Sequence, residues 1–156
     1  MAFICLTMTC SGQAQELSVP RFVSFRRSEI NMRTGPAERY PIKFVYKVQN
    51  YPVEVIEEYE LWRRIREVDG TVGWVHRRML SGVRYVIVTQ NGTLYKKPDI
   101  QSTKVAHIQK GSLAKLEECP PRQLFCQVSF SVDDKKYKGW MERKLFYGIY
   151  PHETIR

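Results

Sequence analysis

The side chains with most to offer chemically are Trp62, Arg64, Trp74 and His76, from the runs "LWRRI" (61–65) and "GWVH" (73–76). At strand spacing alternate residues share a face. Trp62 and Arg64 then lie opposite Ile65, and Trp74 and His76 lie opposite Val75. The two runs flank Asp69-Gly70, a strong hairpin cue, so the four side chains form one surface turned away from an Ile65/Val75 core. Indole rings offer flat, rigid contact to sugar faces, proline rings or peptide backbone, and Arg33 or Arg64 can meet a carboxylate. Tyr40 and Tyr46 flank the long loop before these strands, and Tyr59 precedes Trp62. A second demand falls on the same rings, because a neighbouring small unit would gain by covering them. Ligand groove and internal packing both remain open from sequence.

The chain offers little for bond-breaking chemistry. His76, His107 and His152 carry no neighbouring nucleophile motif, and each reads as a surface imidazole. The acidic doublets Glu57-Glu58, Glu117-Glu118 and Asp133-Asp134 could suggest a glycosidase pair, but adjacent strand residues point to opposite faces. The repeated "EE" reads instead as a solvated strand end. Phosphate-binding loops, dinucleotide fingerprints and metal-ligand spacings are missing from the sequence. The expectation is a protein that is not an enzyme and uses no cofactor and no metal.

The first fourteen residues carry no charged side chain, and "MAFICLTMTC" is followed by the small residues Gly12 and Ala14. Residues 1–14 therefore read as a partial signal peptide, too short to span a bilayer. Its removal leaves Cys119 and Cys126 of the four cysteines. A closely spaced even pair in an exported chain reads as a disulfide, and the C-x₆-C spacing does not suit a metal or redox pair. Closing so short a loop stabilises by about 2.5 kcal/mol on the chain-entropy model. The expected location is periplasmic or secreted.

Among 156 residues the net charge is +9. Residues 21–81 hold twelve basic and eight acidic side chains, and residues 84–147 hold twelve and six. The excess is spread over both halves, which suits an anionic partner such as an acidic cell-wall polymer or nucleic acid.

The halves also echo one another. "NMRTGP" (31–36) answers "TLYKKP" (93–98), "YPVEVIEE" (51–58) answers "GSLAKLEE" (111–118), "LWRRI" answers "LFCQV" (124–128), and "GWVHRRML" (73–80) answers "GWMERKLF" (139–146). The apolar residues alternate in short runs between turn signals, and no ten-residue stretch keeps a helical period. The fold class is all-β, as two tandem five-stranded small barrels over residues 22–81 and 84–147, with a tail over 148–156.

The order "SEINMRTGP", "PVEVIEE", "LWRRI" and "GTVGWVHRRML" resembles the bacterial SH3 (SH3b) domain, and the first repeat is the closer match. The doubled arrangement is similar to exported tandem SH3-like proteins of alphaproteobacteria. The resemblance implies a non-catalytic binding module for peptidoglycan, its peptide stems or an envelope protein. It also implies a ligand groove between the first long loop and the strand bearing Trp62, which brings in Tyr40, Trp62 and Trp74. An intracellular adaptor for nucleic acid or protein is the alternative.

Overall fold

The computed structural model describes residues 17–156, so the expected leader over residues 1–14 lies outside the described residues. Among the described residues the regular structure is almost entirely strand. The first half forms β1 (Arg21–Phe25), β2 (Ile30–Arg33), β3 (Ile42–Tyr46), β4 (Pro52–Tyr59), β5 (Trp62–Arg66), β6 (Val72–His76) and β7 (Leu80–Ser81). The second forms β8 (Tyr85–Val88), β9 (Gly92–Tyr95), β10 (Lys104–Ile108), β11 (Leu113–Glu118), β12 (Phe125–Val132), β13 (Lys135–Glu142) and β14 (Phe146–Tyr147). One-turn 3-10 helices, Arg77–Met79 and Arg143–Leu145, precede the last strand of each half.

Each half is one antiparallel sheet of seven strands. The order is β3-β2-β6-β5-β4-β1-β7 in the first and β10-β9-β13-β12-β11-β8-β14 in the second, the same order moved on by seven. The count exceeds the expected five because the long first loop pairs as a hairpin of its own and a two-residue strand closes each sheet. Each sheet encloses its own apolar cluster. The first includes Phe25, Ile30, Met32, Val53, Val55, Ile65 and Val75; the second includes Val86, Val88, Leu94, Leu116, Val128 and Met141.

The repeated Gly-Trp pair has a steric cause. The Met32 side chain of β2 lies over Gly73, where an added Cβ would stand 2.5 Å from its Cγ. In the second sheet a Cβ on Gly139 would stand 2.6 Å from the Tyr95 carbonyl oxygen and 2.8 Å from Leu94 Cγ. Close strand crossing, not ligand chemistry, requires glycine at these two positions.

One sequence pairing is corrected. Matching "YPVEVIEE" to "GSLAKLEE" sets Val53 against Leu113 and Val55 against Lys115. Yet the buried residues are Val53 and Val55 in β4 and Ala114 and Leu116 in β11. Ile65 pairs with Val55 and Val128 with Leu116, so the true correspondence is one residue further on. A slip of one turns every side chain to the wrong face. Both strands carry an irregularity just beyond, between Val55 and Glu57 and between Leu116 and Glu118.

The acidic doublets are more engaged than a solvated strand end. Glu58 meets Arg63 Nε at 2.8 Å and Arg21 Nη2 at 2.5 Å. Glu117 accepts from Ser129 Oγ at 2.6 Å and meets Lys136 Nζ at 3.0 Å. The Ser129 hydrogen bond first, and then Lys136 and Lys115, hold its carboxyl down at about 2. Its folded value lies below the unfolded value near 4.5, so the stabilisation is complete above that value and is lost as pH falls through about 2. Urea midpoints measured between pH 5 and pH 2 should fall more steeply for the native chain than for Glu117→Gln.

The second half packs against β1, β4 and β5 of the first sheet, mainly along one lateral line. Phe22, Glu54 and Arg66 are register neighbours on β1, β4 and β5. Phe22 packs edge-on against Tyr147 at 5.1 Å and against Tyr150 at 4.7 Å. Glu54 accepts from Arg66 Nη2 at 2.6 Å and from Tyr150 Oη at 2.6 Å, and Tyr147 Oη donates to the Arg66 carbonyl at 2.9 Å. Burial and the Glu54 charge raise the Tyr150 phenol well above its ordinary value, so it stays a donor.

The segment after β14 is built into the second half. Ile149 joins its core, and Cys119 and Ile155 exchange backbone hydrogen bonds of 2.9 and 3.1 Å. Arg143, 9% exposed, donates to the carbonyls of Pro151 and Glu153 at 2.8 Å and of Pro120 at 3.2 Å. Cys119 and Cys126 form the expected disulfide, fully buried in the same core, with Cα atoms 4.4 Å apart. Cys119→Ala/Cys126→Ala should lower unfolding free energy by about 2.5 kcal/mol in guanidinium titrations.

Candidate functional site

Strand pairing sets Trp62 opposite His76 and Arg64 opposite Trp74, so the four side chains share the face away from Ile65 and Val75. Along that face the structure separates them. A groove of about 370 Å³ opens over Trp62 and His76. Arg33, Asn31 and Glu38 bound it on the side of the first long loop, and Arg78 and Met79 of the 3-10 helix bound it on the other. Glu29 also lines it, and its carboxylate pairs with Lys47.

Of the expected ligand residues, Trp62 and Arg33 line the groove, and Tyr40, Arg64 and Trp74 do not. Tyr40 lies flat on Gly35, where an added Cβ would stand 2.6 Å from the ring, and its carbonyl accepts from Arg33 Nη1 at 2.9 Å. It shapes the loop and positions Arg33. Arg64 pairs across the strand with Glu57 at 3.1 Å. Trp74 stands in register between Arg33 and Arg64. Tyr46 turns inward, packing on Phe25 at 5.1 Å and donating to Glu67.

Trp62 is only 8% exposed. Its ring meets the His76 ring at 5.5 Å and near right angles. The contacts between the halves run through Phe22, Ser24, Glu54 and Arg66 and leave the Trp62 groove aside. Its burial therefore comes from the first sheet, and one edge faces the groove.

His76 gives the groove a fixed donor. Its Nδ1 accepts from the Arg78 backbone N–H at 3.1 Å and caps the 3-10 helix. Partial burial, and then the charges of Arg78 and Arg77, lower its pKa below the ordinary imidazole value. The neutral ring with Nδ1 as acceptor carries its proton on Nε2. Two guanidinium groups, two carboxylates, a neutral imidazole and an indole edge thus surround one cleft, an arrangement that suits a small zwitterionic chain better than a uniform polyanion. Of this wall the sequence singled out His76 alone; Glu29, Glu38, Arg78 and Met79 carried no signal that pointed to the groove.

Residues 26–82 match the family model of the bacterial SH3 domain. The match takes in the whole groove. A bacterial SH3 domain is a non-catalytic binding module, often for cell-wall components. Solved structures to which the chain is similar include NlpC1 of Trichomonas vaginalis, 9% identical over 85% of this chain and 47% of that one, with a TM-score of 0.37. NlpC2 of the same organism is 9% identical over 85% and 49%, with a TM-score of 0.34. The chain spans about half the length of each. No curated protein matches the chain. Among the described residues no helix is long and apolar enough to cross a membrane, and no group of three His, Cys, Asp or Glu stands ready for a metal.

Proposed function

We propose that this is an exported binding protein of two bacterial SH3 units, residues 22–81 and 84–147, whose first unit holds the peptide part of peptidoglycan or a segment of an envelope protein. The observation that carries the reading is the mixed-charge groove over Trp62, inside the matched segment. Stem peptides present both amino and carboxylate groups, which Glu29 and Glu38, and Arg33 and Arg78, complement. The identical strand order of the two sheets supports the doubling. The buried disulfide and the apolar leader support an oxidising compartment, periplasmic or outside the cell. The two groove carboxylates oppose the nucleic-acid alternative.

The test is retention on purified sacculi and on soluble stem peptides at low salt. The native protein should be retained, and Trp62→Phe and Arg78→Ala should each weaken binding about tenfold while keeping the native circular dichroism spectrum. No retention on either material removes the cell-wall reading. Retention unaffected by both variants removes the groove.

A further inference from the structure

The hairpin of β12 and β13 has two unlike faces and an open side. Its turn, Asp133-Asp134, has both residues at positive φ, 46° and 60°, so the flanking Val132 and Lys135 form a hydrogen-bonded pair. Pairing alternates from there. Tyr137 and Gly139 bond toward β12, and the N–H and C=O groups of Lys136 and Lys138 point to the other side. On that side, among the described residues, β13 has a partner only at Trp140, opposite Tyr95.

The first sheet shows how such an edge is closed. There Lys43 on β3 donates its ammonium to the Val72 carbonyl at 3.0 Å. The equivalent residues are Val105 and Lys138, by the pairings of β2 with β3 and β9 with β10 and by Gly73 and Gly139. Valine has no donor to offer.

Directly opposed residues share a face. Phe130, Val132 and Tyr137, with Lys135 at the turn, therefore share one side of the hairpin, and the first three form with Ala106 and Ile108 of β10 a trough of about 420 Å³ whose polar lining is His107, Gln109 and Ser112, with no carboxylate. Val132 and Tyr137 are 55% and 40% exposed. Ser129, Ser131, Lys136 and Lys138 occupy the other side. Glu117 engages Lys136, and Lys138 has no ion pair among the described residues.

We propose that this edge receives an extended polypeptide segment of alternating apolar and acidic residues. Added alongside β13, such a strand bonds to the outward groups of Lys136 and Lys138. Its apolar side chains enter the trough over Phe130, Val132 and Tyr137, and its carboxylates meet Lys138 on the far face. The alternation follows from the pleat, since beyond the turn residue Lys135 the neighbours on one face are Phe130, Val132 and Tyr137 and those on the other are Lys136 and Lys138.

The test is titration of the full chain with a blocked, labelled heptapeptide alternating valine and glutamate. Two controls are an alternating valine–lysine peptide and a peptide of the first composition in two blocks. The alternating acidic peptide should bind at least tenfold more tightly than either control and should slow amide exchange at Lys136 and Lys138. Tyr137→Ser and Lys138→Pro should each weaken it about tenfold; Tyr137→Ser removes only an exposed side chain and serves if the proline variant loses its fold. Equal binding of the block peptide, or unchanged exchange at both lysines, overturns the proposal. So does sedimentation showing that a second copy of the chain occupies the edge and excludes the peptide.

Discussion

Gly139→Ala is expected to lower stability by about 3 kcal/mol, against about 1 kcal/mol for Gly73→Ala. The two glycines occupy the same place in their sheets, but their neighbours differ. At Gly73 the three atoms nearest the new methyl all belong to the Met32 side chain, at 2.5, 2.7 and 3.0 Å, and an unbranched thioether can move aside. At Gly139 it meets the Tyr95 carbonyl oxygen at 2.6 Å, which belongs to the backbone. Relief there requires β9 and β13 to part at their one paired position, Trp140 with Tyr95. Urea titration of both variants checks the contrast, and equal losses would show that the Tyr95 strand yields as easily as Met32.

Arg143→Met should cost roughly 3 kcal/mol and free the C-terminal segment locally. Methionine keeps the apolar length but removes every donor to Pro120, Pro151 and Glu153. The Cys119–Ile155 backbone pair then loses its neighbouring anchor. Hydrogen exchange at Ile155 should accelerate well beyond exchange in β12. Arg143→Lys should recover less than half of the loss, because one ammonium cannot reach carbonyls arranged around a planar fork. A lysine variant as stable as the native chain would refute the account.

Strand parity was legible wherever runs were regular. "LWRRI" and "GWVH" placed Trp62, Arg64, Trp74 and His76 on one face, as pairing shows. Parity failed between β4 and β11, because sequence likeness at "EE" pulled the comparison one residue off while burial obeys the core. The groove was half legible. Trp62 and Arg33 belong to it, but Tyr40 was taken away by a ring-on-glycine contact with Gly35 that no periodicity reports. Arg64 was taken away by Glu57, a partner across a bulge. The joint between the halves was illegible for a similar reason, since Glu54 reads as an outward strand carboxylate until Tyr150, far along the chain, arrives to bond it.

That joint has a mechanical consequence. Phe22, Glu54 and Arg66 clasp Tyr147 and Tyr150 across a connection only a few residues long, and these contacts oppose independent movement of the Trp62 cleft and the β13 edge. A stiff polymer whose spacing fits the separation of the two gains avidity at both places without having to freeze a tether, and one with the wrong repeat gains nothing from the second contact. A partner that engages both proposed sites would thereby be selected by the distance between its features as well as by their chemistry.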